Sequence, residues 1–305
     1  MARAAIFTHN DLDGLVSALL ARLALPEAEV FFCDYHGLEE SVRERLPRYD
    51  ILWFTDLSLR DAGFFAHLAS AAKDYYWFDH HISSQPQGFF RVCRIDPSEN
   101  RCSADILRDY LVEQGYAIPE PLQTLVEYAH DQDLWLRERP EAGCFNDILG
   151  QMPVQELFQI LEADPGAVHA WHPSMAAAAE RTRQQRLRSI QLAESTVVCH
   201  DLGQGLRLKT AVCYGSASDV GEALGDAHTL VALWDLHDVG QMKPKFHFRT
   251  KSDRIDASRI AERLGGGGHP KASGAPGDLQ TLQALSEAIA QQVLAVLPLE
   301  SGSRK

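Results

Sequence analysis

The sequence contains no apolar run long enough to cross a membrane, which takes roughly 20 consecutive residues. Its first residues turn polar by Thr8 and His9, so they lack the apolar core of a secretory signal peptide. The six cysteines stand far apart with no C-x-x-C pair, which argues against a zinc site or a disulfide framework and predicts buried free thiols. Together these absences predict a cytoplasmic globular protein without a membrane partner.

Positive charge is also scarce. The chain of 305 residues has 29 Lys and Arg against 42 Asp and Glu, for a formal net charge of -13. Binding of long nucleic acid depends on neutralising many phosphates, so this balance argues against a long duplex as partner. Because positive charge is scarce, an anionic substrate has to be held by a few local groups.

Apolar residues make up 45% of the chain, enough for two hydrophobic cores.

The first 135 residues alternate short apolar runs with helical patterns. In each predicted helix the apolar residues recur three and four positions apart, as packing on a sheet requires. This order predicts the α/β class, with a mainly parallel sheet and helices on both faces. The predicted strands are 4–8, 30–33, 51–55, 75–78 and 90–95, and the predicted helices are 14–25, 38–46, 59–72 and 103–114.

A change of composition indicates a second domain. The Ala- and Arg-rich segment that ends a helical stretch is predicted to form a connecting helix over 176–196. β-type runs return from Val197, and a last amphipathic helix is expected over 279–297. We therefore predict a first α/β domain over 1–175 and a smaller α/β domain over 197–305.

Acidic residues and histidines directly follow the predicted strands of the first domain. Because ligands of such sheets collect at the carboxyl ends of the strands, these side chains should meet at one edge. Carboxylates brought together raise one another's pKa unless cations lie between them. Carboxylate and imidazole groups suit Mn²⁺, Mg²⁺ or a similar ion better than a thiolate-seeking one. The residues concerned are His9, Asp11, Asp13, Asp56, Asp79, His80 and His81.

The charge of this set indicates a pair of ions. With Asp131 added, Asp11, Asp13 and Asp56 supply four formal negative charges, which two divalent cations cancel. Two such ions roughly 3.5–4 Å apart can share a bridging hydroxide and polarise a phosphoryl oxygen. The implied chemistry is hydrolysis of a phosphoester or phosphoanhydride. Each aspartate alone has an ordinary explanation, such as helix capping, but joint occurrence at successive strand ends favours the metal centre.

The segment Asp79-His80-His81 resembles the signature of the DHH phosphoesterases. The segment 8–14, THNDLDG, resembles the first motif in the shorter-spaced form of the NrnB-type nanoRNases (oligoribonucleases) and RecJ-like exonucleases. Asp56 resembles the second motif, and Asp131 the fourth. The glycine-rich segment 265–274 resembles the signature of the companion DHHA1 domain. The likeness covers nearly the whole chain and implies a DHH domain over 1–175 and a DHHA1 domain over 197–305.

The resemblance implies two groups of metal ligands, with Mn²⁺ as the first candidate ion and Asp56 as the bridge. One group is His9 and Asp11, and the other is Asp13, His80 and Asp131.

Two of these assignments leave an alternative open. His9 lies two residues before Asp11, whereas members with the longer first motif have four, so ligation by His9 is less firmly implied than ligation by the aspartates. In the fourth motif Asp133 competes with Asp131, which is favoured.

Asp79 is expected to orient a neighbouring imidazole, and His81 to contact phosphate. Asp56, His81 and Asp79 are thus the expected catalytic residues.

Candidate substrate contacts lie mainly in the second domain. Basic residues at 243, 245, 247, 249 and 251 fall on one face of a predicted strand, and the resemblance selects Arg249. A solvated basic face is the alternative. The run Gly265, Gly266, Gly267 and Gly268, followed by His269 and Lys271, predicts an anion-binding nest, with a flexible linker as the alternative.

The first domain offers one further phosphate site. Arg101 and Ser103 open a predicted helix, whose first amide groups can hold a phosphate. An ordinary N-cap at Ser103 is the competing interpretation. The aromatics Tyr35, Trp135 and Phe248 are candidates for base stacking, although packing in the core explains each of them better.

These features predict a metal-dependent phosphodiesterase that cleaves short oligoribonucleotides or linear dinucleotides such as pGpG into 5′-mononucleotides. A cleft between two domains, with metal chemistry on one wall, would select short substrates. The alternatives are a phosphatase of 3′-phosphoadenosine 5′-phosphate, a cyclic-dinucleotide phosphodiesterase, a related pyrophosphatase and a non-catalytic nucleotide-binding module. Pairing of the chain into a homodimer stays open.

Overall fold

The computed structural model describes residues 2–34, 38–71, 73–86, 88–98, 100–237, 245–277 and 285–296. The chain divides into two compact units, Met1–Thr182 and Arg183–Lys305. A helix of 24 residues, Pro173–Thr196, runs across this division. The predicted domain limits at 175 and 197 therefore stay predictions.

The first unit is built on a five-stranded parallel sheet. Its strands are β1 (Ala4–His9), β2 (Glu29–Cys33), β3 (Ile51–Thr55), β4 (Asp74–Asp79) and β5 (Val92–Ile95). They lie in the order β2-β1-β3-β4-β5. The helices are α1 (Leu12–Ala24), α2 (Leu38–Arg45), α3 (Ala62–Ser70), α4 (Ser103–Glu113), α5 (Glu120–Asp133), α6 (Pro140–Leu149) and α7 (Val154–Ala163). The α/β class and the parallel sheet are confirmed.

Both faces of this sheet are covered. Successive residues of a strand point to opposite faces, so Ile6 and Phe7 enter different cores. Ile6 packs with residues of α1, α4 and α5. Phe7 packs with residues of α2 and α3. A parallel sheet buried on both sides explains the continuous apolar runs of its strands.

The strand register brings the carboxyl ends level. Thr8 pairs with Thr55, and Thr55 pairs with Phe78, so β1, β3 and β4 end side by side. The chain moves from β1 to β2 on one side and then to β3 on the other. A parallel sheet opens a crevice at such a switch point, which is where ligands bind.

The second unit contains a six-stranded mixed sheet. The strands are β6 (Val198–Gly203), β7 (Leu206–Cys213), β8 (Thr229–Asp235), β9 (Lys245–Thr250), β10 (Gly267–Gly268) and β11 (Ala272–Pro276), in the order β10-β11-β9-β8-β7-β6. Its helices are the part of α8 (Pro173–Thr196) that follows the division, α9 (Ala217–Leu224), α10 (Ala257–Arg263) and α11 (Leu285–Val296). Only β7 and β8 pair in parallel among these described strands.

All six cysteines are free, as predicted, but they are not all buried. Cys33, Cys102 and Cys213 are buried, whereas Cys93 and Cys199 are exposed. Within the described ranges, no helix is both long and apolar enough to span a membrane.

Candidate metal centre

The turn between β1 and α1 holds the first acidic pair. Asp11 caps α1, and its Oδ1 accepts a hydrogen bond from the backbone N–H of Gly14 at 2.9 Å. The chain passes so close that a Cβ on Gly14 would lie 2.2 Å from the carbonyl oxygen of His9. A glycine is therefore required for the turn that presents His9, Asp11 and Asp13 together.

Asp56 directly follows β3 and has an unusual backbone conformation. Its φ of 54° lies in the left-handed region, which is uncommon for residues other than glycine. Its backbone N–H donates to the carbonyl of Phe78 on the neighbouring strand at 3.0 Å, which holds the conformation. A buried carboxylate held in a strained backbone is a feature that clusters at functional sites.

The side chains at this edge form two groups that share Asp56. In the first group, His9 Nδ1 lies 2.7 Å from Asp11 Oδ2 and 3.8 Å from Asp56 Oδ2. In the second group, His80 Nε2 lies 3.6 Å from Asp56 Oδ1, 3.4 Å from Asp133 Oδ2 and 4.0 Å from Asp13 Oδ2. Within each group, His9–Asp11–Asp56 and Asp13–His80–Asp133, one ligand atom per residue lies within 4.8 Å of the others.

Two buried atoms of these groups fit metal ions. Asp56 Oδ2 and His80 Nε2 are buried and accept or donate no hydrogen bond among the residues that the structure describes. Buried polar atoms without partners are rare because each costs free energy. Carboxylate and imidazole ligands without thiolate suit Mn²⁺ or a similar divalent ion. The residues present therefore fit divalent cations as ligands.

The pKa values of the aspartates show that, without cations, the cluster disfavours the ionised form of most of its carboxyl groups. Burial, followed by the charges of Asp133 and Asp11, raises the pKa of Asp13 to about 8. Burial and the neighbouring aspartates also raise the pKa of Asp56 well above its usual value. Burial raises the pKa of Asp133 as well, although the neighbouring histidines, His80 first, act against it. Burial is the largest influence on Asp11 and acts in the same direction, but the hydrogen bond and charge of His9, the Gly14 N–H and Asp56 together outweigh it and lower the pKa of Asp11. A cation would favour the ionised form of every one of these groups.

Asp79 and His81 form a hydrogen-bonded pair beside the cluster. Asp79 is fully buried, and its Oδ1 lies 2.8 Å from His81 Nδ1 while Oδ2 accepts from the hydroxyl of Ser84. His81 Nδ1 also lies 4.0 Å from Asp56 Oδ1. Burial is the largest influence and lowers the pKa of His81, but the hydrogen bond and charge of Asp79, with the charges of Asp133 and Asp13, together outweigh it and raise the pKa. The arrangement supplies an imidazole of fixed orientation next to Asp56, and its raised pKa favours the cationic form.

The first amide groups of α4 bind a carboxylate of the chain itself. Asp13 Oδ2 accepts from the backbone N–H of Ser103 at 2.7 Å, and Oδ1 from that of Ala104 at 2.8 Å. Ser103 Oγ lies 3.4 Å from Asp56 Oδ1, and Arg101 pairs with Asp109. The helix terminus stabilises negative charge, as expected, but the anion is Asp13. These amide groups are therefore occupied by Asp13, and phosphate binding by the side chains of Arg101 and Ser103 stays a prediction.

The structure revises the choice between Asp131 and Asp133. Residues two apart on a helix face different directions, and α5 turns Asp133 toward His80. Asp131 instead accepts hydrogen bonds from the backbone N–H groups of Glu138 at 2.8 Å and Arg139 at 3.2 Å. Asp131 thus stabilises the turn after α5, and Asp133 replaces it as the candidate ligand. The sequence signal for Asp133 was its place in the same short motif.

A further cluster near the centre was not predicted. Asp105 Oδ2 lies 2.6 Å from His130 Nδ1 and accepts from the backbone N–H of Cys102 at 3.2 Å, and Oδ1 pairs with Arg108 at 3.2 Å. Both oxygens are already occupied, so the cluster is explained by structure: it joins α4, which holds Asp13, to α5, which carries Asp133.

In the second unit, Arg249 lies half-buried on β9. Its Nη1 donates to the carbonyls of Phe248 at 3.0 Å and Ser273 at 3.2 Å, and Nη2 lies 3.2 Å from Ser218 Oγ. Gly221 provides the room, since a Cβ there would lie 2.5 Å from Arg249 Cγ. No carboxylate lies within 4 Å of this guanidinium in the part of the chain that the structure describes. Arg249 therefore keeps the charge that an anion needs.

The tetraglycine run is built into the sheet. Gly267 and Gly268 form β10, which pairs with β11, and a Cβ on Gly266 would lie 2.0 Å from the carbonyl oxygen of Gly274. A flexible linker is therefore excluded. His269 is exposed, whereas Lys271 is held by the carbonyl of Ser252 at 2.7 Å and by Asp253 at 2.6 Å.

The remaining candidates do not form a stacking surface. Phe248 is fully buried in the core of the second unit. Trp135 is 50% exposed, with the guanidinium of Arg137 lying 4.2 Å from its ring centre. Tyr35 and Lys243 lie outside the described residues.

Comparison with known proteins gives four findings. Residues 211–295 match the DHHA1 domain family. The chain is 26% identical over 294 residues to oligoribonuclease NrnB of Bacillus subtilis, covering 88% of this chain and 71% of that protein. Its fold resembles the pGpG-specific phosphodiesterase PggH of Vibrio cholerae (TM-score 0.63, 14% identity, 96% of this chain and 99% of that one). It also resembles exonuclease RecJ bound to manganese (TM-score 0.67, 16% identity, 97% and 91%).

Proposed function

We propose that this chain, a member of the DHH/DHHA1 phosphoesterases, is a metal-dependent phosphodiesterase that cleaves very short RNA and linear dinucleotides to 5′-mononucleotides. The predicted family resemblance is confirmed by the DHHA1 match and by the likeness to NrnB. Relatives and structural neighbours named as oligoribonuclease, pGpG phosphodiesterase and exonuclease support a hydrolase of phosphodiester bonds and a small nucleotide substrate.

One observation carries the proposal. Asp56 lies between two ligand groups at the switch point of a parallel sheet, and one of its oxygens faces each group. The residues that would hold divalent ions are His9, Asp11, Asp13, Asp56, His80 and Asp133. Divalent ions at such a centre polarise a phosphoryl oxygen and lower the pKa of bound water.

The chain's own groups orient the substrate. The imidazolium of His81, held by Asp79, would neutralise an oxygen of the scissile phosphate. The amide groups of α4 keep the Asp13 carboxylate turned toward the centre. In the second unit we propose Arg249 as the main contact for the anionic end of the substrate. The further substrate contacts that we propose there are Gly266, Gly267, Gly268, His269 and Lys271.

The decisive experiment is Mn²⁺-dependent release of mononucleotides from pGpG. Asp56→Ala and His80→Ala should both abolish turnover, because each removes a ligand on which the centre depends. Full residual activity in either variant contradicts the mechanism.

Catalytic efficiency toward 3′-phosphoadenosine 5′-phosphate and a cyclic dinucleotide, compared with pGpG, separates the phosphodiesterase from its alternatives. Tight dinucleotide binding without turnover under any divalent ion would indicate a regulatory module instead.

A further inference from the structure

A cavity of about 550 Å³ opens beside the metal centre in the first unit. Its wall includes His81, whose Nδ1 lies 4.0 Å from Asp56 Oδ1. None of the expected substrate contacts lines this space apart from His81. The volume falls within the range of small-molecule sites, roughly 300–1,000 Å³.

The cavity wall comes from three segments, two of which are joined to each other by hydrogen bonds. The residues are Leu38, Glu39, Glu40, Ser58, Leu59, Arg60, His81 and Ser83. The hydroxyls of Ser58 and Ser83 lie 2.6 Å apart and link the segment after β3 to the segment after β4. The backbone N–H of Gln85 also donates to the carbonyl of Leu59 at 3.0 Å. The cavity is therefore part of the same framework that holds Asp56 and His81.

The chemistry of the wall fits a nucleoside better than a simple anion. Leu38 and Leu59 are buried and supply an apolar surface for the face of a base. Arg60 is exposed and Glu39 half-buried, and neither forms a hydrogen bond or ion pair in the described part of the chain. Burial, followed by the charge of Asp61, raises the pKa of Glu39, as expected for a carboxyl group partly removed from water.

A carboxylate distinguishes the bases by their hydrogen-bond donors. It accepts two parallel hydrogen bonds and offers none. Guanine carries two adjacent donors, N1–H and the N2 amino group, whereas adenine and cytosine place an acceptor beside their amino group. A half-buried glutamate therefore favours guanine, and Arg60 adds a positive charge for a phosphate on the same nucleotide.

We infer that this cavity is a guanosine subsite for a nucleotide attached to the scissile phosphate, with Glu39 reading the base and Arg60 binding phosphate. The inference rests on the proposed function, which it deepens by naming a base preference at one side of the reacting phosphate. Because the subsite lies in the same unit as the metal centre, it requires no contribution from the second unit.

Glu39→Gln tests the base contact. The change keeps the size of the side chain but replaces one acceptor with a donor. We expect the KM for pGpG to rise about 10-fold, equivalent to about 1.4 kcal/mol, while kcat and the KM for pApA stay within twofold. Glu44→Gln is the matched control, since Glu44 is exposed on the same helix and lies outside the cavity. An equal rise for both dinucleotides, no rise, or the same effect from Glu44→Gln overturns the inference.

Product binding tests the cavity independently of turnover. We expect GMP to bind the Mn²⁺-loaded protein more tightly than AMP in calorimetry, and Glu39→Gln to remove this preference. Arg60→Ala should weaken GMP but not guanosine. If the wild type cleaves no dinucleotide, the proposed function fails, while GMP binding that depends on Glu39 still supports the subsite. GMP binding that is absent or unchanged in Glu39→Gln overturns it.

Discussion

The structure favours Asp133 over Asp131 as the candidate metal ligand, and this choice can be tested directly. Asp133→Asn removes a carboxylate that lies 3.4 Å from His80 Nε2 at the centre. Without metal, we expect the variant to be more stable than the wild type, because one of several buried like charges is lost. With metal, we expect it to be stabilised less. Asp131→Asn leaves the cluster intact and keeps an oxygen that can accept from Glu138 and Arg139.

The size of the effect follows from binding linkage. Changes around metal ligands typically weaken affinity 10- to 100-fold, and loss of a ligand itself belongs at the upper end, about 100-fold. At a Mn²⁺ concentration of roughly 100 times Kd the wild type gains about 2.7 kcal/mol, whereas a 100-fold weaker variant gains about 0.4 kcal/mol. With about 2–4 °C per kcal/mol, the metal-induced rise in Tm falls from about 5–10 °C to about 1–2 °C.

The assay is thermal unfolding with and without Mn²⁺ for both variants. Asp131→Asn should lower Tm by a similar amount in both conditions. In the wild type the charge of Asp131 strengthens the hydrogen bonds of the turn after α5, and its loss does not affect the metal site. A normal Mn²⁺ response in Asp133→Asn, together with a lost response in Asp131→Asn, would refute the revised assignment.

Three further predictions concern the turn, the basic site and pH. Gly14→Ala should lower the free energy of unfolding by about 2–3 kcal/mol, because its Cβ would lie 2.2 Å from the His9 carbonyl oxygen. The control Gly143→Ala, in α6 with open space around it, should raise the free energy of unfolding by about 0.5–1 kcal/mol. Denaturant unfolding measures both. Arg249→Gln should raise the KM for pGpG at least 10-fold with an unchanged Mn²⁺ effect on Tm; a lost metal response would contradict its role as a substrate contact. Burial raises the pKa of Asp13 to about 8 in the folded protein, above its usual value of 3.8, so the metal-free protein should lose stability as pH rises from about 4 to 8. Asp13→Asn should make stability depend less on pH. An equally steep loss of stability in that variant would show that another group causes the pH dependence.

Local pattern was sufficient for most of the fold. Strand β3 was predicted at its observed limits, and α4 begins at the predicted residue. Both depend on apolar periodicity and on the polar residues that end each run, which are local features of the sequence. Parallel topology then follows from the order of the elements, and with it the meeting of Asp11, Asp56 and Asp79 at one edge.

By itself the sequence thus determined the strands of the first sheet and the carboxylates that converge at its edge, since these depend on periodicity and connection order. It also indicated divalent cations, from the negative charge that those carboxylates bring together. Only the tertiary structure decided which carboxylate of α5 faces His80, and that the amides of Ser103 and Ala104 are taken by Asp13. The reason is geometric: a shift of two residues on a helix turns a side chain away from its partner, and an amide group binds whichever anion the packing of α4 brings closest.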